Sequence, residues 1–155
     1  MGFLIKTRSA ASTSFIELVS DSPDCTFAIG KRIAPLLSGG SVIALEGNLG
    51  SGKTCLAKGI ASGLGIGENL TSPTYTIISE YSGSPALYHI DAYRLNSDED
   101  FENIGGVEIV NGDGISIVEW SEKIKKSLPE NAITITIKIT GPASRLIKIY
   151  GLDHL

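Results

Sequence analysis

Apolar and polar positions along the chain fall into strand-length runs separated by stretches of helical spacing. Phe15-Ile16-Glu17-Leu18-Val19 reads as a strand, and Ser22 followed by Pro23 supplies helix-start chemistry. That helix is predicted to run to about Leu37, where Ser38-Gly39-Gly40 ends it. The apolar run Val42-Ile43-Ala44-Leu45 predicts a buried strand, and Leu56, Ile60 and Leu64 predict a helix that Gly63 to Gly67 terminates. Ile77 to Tyr81 and Ala86 to Asp91 are strand-like and are joined by Ser82-Gly83-Ser84-Pro85, a hairpin spacing that requires an antiparallel pair. Ser97 caps a predicted acidic helix reaching Asn103, and Gly105-Gly106 and Gly112-Asp113-Gly114 read as turns. Ile115-Ser116-Ile117-Val118-Glu119 is a further strand. Ile133 to Ile139 and Leu146 to Tyr150 close the chain as an alternating antiparallel pair.

Between the second strand and the second helix lies Gly47-Asn48-Leu49-Gly50-Ser51-Gly52-Lys53-Thr54, a complete phosphate-loop pattern in its proper strand–loop–helix setting. Phosphate oxygens need several converging N–H donors, which a glycine-rich backbone and a helix N-terminus provide. Lys53 is placed to bridge β- and γ-phosphates, and the Thr54 hydroxyl to coordinate Mg²⁺. The expected nucleotide-contacting segment runs from Asn48, Leu49, Gly50, Ser51 and Gly52 through Lys53, Thr54 and Cys55. Two strands end in acids, Asp91 and Glu119, and either is able to hold Mg²⁺ or orient an attacking water. His89 reads as a structural histidine, since nothing pairs it with a nucleophile. The polar stretch Ser72-Pro73-Thr74-Tyr75-Thr76 offers hydroxyls to a γ-phosphate, metal or water, or serves only as a connection.

Composition narrows the class. With 155 residues, 42% hydrophobic and 19% charged, the chain suits a single soluble globular domain. Its formal net charge of −4 argues against broad electrostatic binding to nucleic acid. Cys25 and Cys55 lack metal-ligand spacing and read as reduced thiols of a cytoplasmic protein, with Cys55 at a helix N-terminus a candidate for a lowered pKa. No apolar run approaches membrane-spanning length, so no membrane association is expected. Residues 1–14 are basic and Ser-rich, without an acid. They read as a flexible extension preceding one domain over 15–155. The fold expected is an α/β, P-loop NTPase-like three-layer architecture with a mixed parallel and antiparallel central sheet.

Four segments in order carry a family resemblance: Gly47 to Thr54, Ser72 to Thr76, His89-Ile90-Asp91-Ala92-Tyr93-Arg94-Leu95, and Val118-Glu119-Trp120. Together they resemble the TsaE (YjeE) family, small P-loop ATPases of tRNA threonylcarbamoyladenosine biosynthesis. The resemblance implies a slow, partner-stimulated, Mg²⁺-dependent ATPase. Such a protein acts with TsaB and TsaD in threonylcarbamoylation of adenosine 37 of tRNAs reading ANN codons, and meets tRNA indirectly through that complex. It further implies that Lys53, Asp91 and Glu119 are catalytic, with Thr54 and Glu119 in the Mg²⁺ shell and Asp91 orienting water, the reverse assignment of the two acids remaining open. Ser72 to Thr76 would be a switch-like loop, Trp120 would pack against the core on the nucleotide side, and Thr26 would lie near adenine. Asn48 stands where the family commonly has Asp, and Cys55 where a hydroxyl residue is usual. Arg94 is the nearest candidate for an arginine finger, with a structural pairing as its other role. A small-molecule kinase would use the same loop, but the segment from Lys58 to Arg94 is poor in the basic residues of an arginine-bearing lid. A module in which ATP binding shapes a docking surface and hydrolysis is incidental is the third possibility.

Overall fold

The computed structural model describes residues 5–10, 13–71 and 77–155. Eight strands form one sheet in the order β1-β2-β8-β7-β3-β6-β5-β4. They are β1 (Ile5–Ala10), β2 (Thr13–Ser20), β3 (Val42–Glu46), β4 (Ile78–Tyr81), β5 (Leu87–Asp91), β6 (Ile115–Glu119), β7 (Ile133–Ile139) and β8 (Arg145–Tyr150). The centre is parallel, β3 lying between β6 and β7 with β5 beyond β6, and both flanks are antiparallel. The mixed sheet therefore agrees with the sequence reading, including the β4–β5 hairpin and the β7–β8 pair.

Helices cover both faces. Helices α1 (Pro23–Ile33) and α2 (Lys53–Gly63) bury Ile29, Ile33, Leu56 and Ile60 against Ile43, Leu45, Ile117 and Ile135. On the opposite face, α3 (Asp98–Asn103) and α4 (Gly106–Val110) bring Phe101 and Val110 over Val42, Ile90 and Val118. Val42 to Leu45 is thus buried on both sides, which explains why β3 reads as a continuous apolar run rather than an alternation. Among the described residues no helix is long and apolar enough to cross a membrane.

Three local expectations are corrected. Ile5–Ala10 forms an edge strand paired with β2, which itself begins at Thr13, so part of the stretch read as an extension belongs to the sheet. The first α-helix stops at Ile33 and passes into a 3-10 turn over Ala34–Leu36, because Pro35 lacks the N–H that the next α-helical bond requires. Gly106 opens α4 rather than lying in a plain turn. A methyl there would come within 2.2 Å of the Phe101 ring, so packing selects glycine.

Helices α1 and α2 approach so closely that their glycines interlock. A methyl on Gly59 would lie 2.2 Å from the Phe27 carbonyl oxygen, and one on Gly30 2.4 Å from that of Leu56. Backbone cannot yield as a side-chain tip can. Gly59→Ala is therefore expected to destabilise the domain by about 2 kcal/mol, overpacking outweighing the roughly 1 kcal/mol of helix propensity that alanine gains. Urea denaturation checks this, and an unchanged midpoint would contradict it.

Candidate nucleotide site

Parallel strands β3, β5 and β6 release their C-terminal ends at one edge of the sheet, where ligands of open α/β folds bind. Asp91 and Glu119 are register partners on β5 and β6, so both acids emerge beside the loop that follows β3. The loop turns on Gly50 (φ 77°) and Gly52 (φ 110°), left-handed values that favour glycine. A methyl on Gly47 would lie 2.5 Å from Ser51 Oγ and 2.7 Å from the Ile137 carbonyl oxygen, so that position too excludes a side chain.

Lys53 opens α2, is buried at 5% exposure, and donates from Nζ to the carbonyl oxygens of Gly47 (2.5 Å) and Asn48 (3.1 Å). Its ammonium lies 4.0 Å from the centroid of the Trp120 ring. Burial lowers the Lys53 pKa from its ordinary value, while Glu119, then Glu122 and Asp91, act the other way. The Thr54 hydroxyl donates to Glu119 Oε1 (2.9 Å), and Glu119 Oε2 is bonded to Nε2 of the fully buried His89. Asp91 Oδ1 accepts from the Tyr93 amide (3.0 Å).

Leu49 to Cys55, Asp91, Tyr93, Glu119 and Trp120 line one cavity of about 310 Å³. A second, of about 200 Å³, lies on the other side of the loop between Pro23, Thr26, Pro142 and Ala143. Thr26 does line it, but its hydroxyl is held by Ser20 Oγ (2.7 Å), and its Cγ2 methyl is the part directed at Gly52. Asn48 contributes its backbone carbonyl to the Lys53 and Ser51 bonds, and is itself exposed. The glycine cradle, the buried cation and the hard oxygen donors of Thr54, Glu119 and Asp91 fit a Mg²⁺-bound polyphosphate.

Several details depart from the sequence reading. Burial raises the Cys55 pKa, and its thiol donates to the Pro23 carbonyl (3.2 Å), so the lowered pKa expected from the helix N-terminus is overturned. Trp120 does more than pack on the core: its ring faces Lys53 and Tyr93 inside the cavity, from a backbone at φ 58° that is uncommon for a bulky residue. Arg94 is exposed and does not line the cavity. Ser72 to Thr76 lie outside the described residues. His89 is structural as read, but its partner is a site acid, a pairing that alternation along one strand cannot reveal. No local pattern marks Arg145 on β8, which bonds the loop carbonyls of Ser51 (2.8 Å) and Gly50 (3.2 Å) from 94 and 95 residues away.

Comparison with known proteins agrees with this architecture. The family model "Threonylcarbamoyl adenosine biosynthesis protein TsaE" matches residues 20–147. A Treponema pallidum protein named tRNA threonylcarbamoyladenosine biosynthesis protein TsaE is 45% identical over 131 residues, covering 84% of this chain and 97% of that protein. Its Bacillus subtilis namesake is 43% identical over 134 residues, with 86% and 84% covered. The crystal structure of Bacillus subtilis YdiB superposes with a TM-score of 0.71 at 34% identity, spanning 95% of this chain and 86% of that one. The chain belongs to the TsaE family.

Proposed function

We propose that this chain binds ATP with Mg²⁺, hydrolyses it slowly alone, and does so in support of threonylcarbamoylation of adenosine 37 in tRNAs reading ANN codons. The observation that carries the reading is the convergence of Lys53, Thr54, Asp91 and Glu119 on one loop-lined cavity, in a chain whose relatives are named for that biosynthesis. The partners proposed are TsaB and TsaD, and the setting is cytoplasmic.

The roles follow from what each side chain touches. Lys53 is held on loop carbonyls, so it leaves neutral acceptors for phosphate oxygens, an exchange in which anionic acceptors replace uncharged ones. Thr54 and Glu119 already share a hydrogen bond and would hold Mg²⁺ together, which favours Glu119 over Asp91 as the metal-side acid. Mg²⁺ held by Thr54 and Glu119 would supply charge neutralisation to the bound polyphosphate. His89 fixes the Glu119 carboxylate through Oε2. Asp91, half-exposed at the cavity wall, is left to orient the attacking water. Among the described residues none that lines the cavity is an arginine, which fits the slow turnover proposed for the chain alone, since such a group supplies ~10³–10⁵ in rate.

Asp91→Asn tests the division of labour. It is expected to retain ATP affinity within about threefold while hydrolysis falls roughly 10²-fold, the scale of a lost general base. Equal losses of binding and hydrolysis would return Asp91 to the metal shell.

A further inference from the structure

Resting on the nucleotide reading, the geometry points to Arg145 as a positioning residue that clamps the phosphate loop to the wall of the neighbouring cavity. Its guanidinium donates to four backbone carbonyls. Nε reaches Ser51 (2.8 Å) and Nη2 reaches Gly50 (3.2 Å), while Nη1 serves Gly141 (3.1 Å) and Ser144 (2.8 Å). Two of these acceptors belong to the phosphate loop and two to the turn between β7 and β8. Pro142 and Ala143 of that turn line the 200 Å³ cavity beside Thr26.

The trans peptide is planar, so a carbonyl and the following N–H point in opposite directions. By holding the Gly50 and Ser51 carbonyls on its own side, Arg145 aims the Ser51 and Gly52 amides away from itself. Ser51 N–H closes the loop onto the Asn48 carbonyl (3.0 Å), which is the same oxygen that accepts from Lys53 (3.1 Å). The cation therefore acts through the backbone on the concave side of the loop without entering the phosphate cavity, whose lining does not include it. All four acceptors are uncharged carbonyls, so the positive charge also polarises the peptides it grips. A lysine at this position would supply a point charge without the planar fork that spans two peptides and a turn.

The experiment is calorimetric titration of Mg·ADP and of Mg·pyrophosphate into the wild type, Arg145→Met, Arg145→Lys and the control Lys148→Met, which lies on the same strand. Arg145→Met is expected to weaken both ligands at least tenfold, ADP more than pyrophosphate because the wall is released together with the loop. Arg145→Lys should recover less than a third of that loss, and Lys148→Met should bind as the wild type does. Should Arg145→Met fail to fold, Arg145→Lys alone decides the matter, wild-type affinity in it overturning the clamp. Folded Arg145→Met that loses thermal stability but binds ADP normally would reduce Arg145 to a structural residue. A wild type that bound neither ligand would overturn the nucleotide reading and this inference with it.

Discussion

Lys53→Ala is expected to lower ATP hydrolysis by about 10²–10³-fold, the scale of removing one preorganised charge-stabilising donor, and to weaken Mg·ATP binding at least tenfold. The cation is buried, fixed by two loop carbonyls and backed by the Trp120 ring, so its position at the loop is set by the fold. Burial already disfavours its charged form, and phosphate would restore it by pairing the ammonium with anionic oxygens. Fluorescence titration of Trp120 with ATP, alongside phosphate release, reads both quantities. The variant should stay folded, because α2 tolerates alanine at its first residue. Wild-type hydrolysis in it would remove Lys53 from the chemistry.

Glu119→Gln carries the second large effect. Both carboxylate oxygens are engaged, Oε1 by the Thr54 hydroxyl and Oε2 by His89, in a residue only 3% exposed. An amide of the same shape removes the charge and gives one end donors where an acceptor is needed. Activity is expected to fall about 10²-fold or more, with a rise in the Mg²⁺ concentration needed for half-maximal rate, because metal ligands and their hydrogen-bonded supports act as a unit. Unaltered Mg²⁺ dependence would place the metal on Asp91 instead.

The parts legible in the sequence are those specified locally. The phosphate loop was readable because its eight residues sit between a strand and a helix of matching period, and the β4–β5 hairpin because Ser82 to Pro85 interrupt two apolar runs. Ser97 announces α3 because its side chain accepts from the Asp100 amide, a bond within one turn. What stayed hidden depends on distant partners. Nothing in Ile5 to Ala10 marks a strand strongly, and its pairing along β2 arises from an available sheet edge. The His89–Glu119 bond joins β5 to β6 across 30 residues, and Arg145 reaches the loop across 94. The Cys55 pKa misled for a related reason. Its position on the helix was local knowledge, whereas its burial and its Pro23 acceptor come from α1 packing alongside. Asp91 and Glu119 were legible as a pair because each ends a strand-like run, and the register of β5 and β6 supplies the physical reason they belong together.

The decisive measurement is ATP hydrolysis by the purified chain, alone and with a TsaB–TsaD pair, with Lys53→Ala as the blank. A partner-activated ATPase turns over slowly alone and shows a clear stimulation by the pair that Lys53→Ala abolishes. Absence of stimulation, with phosphate transfer appearing only when small-molecule acceptors are supplied, would contradict it and assign the loop to a kinase.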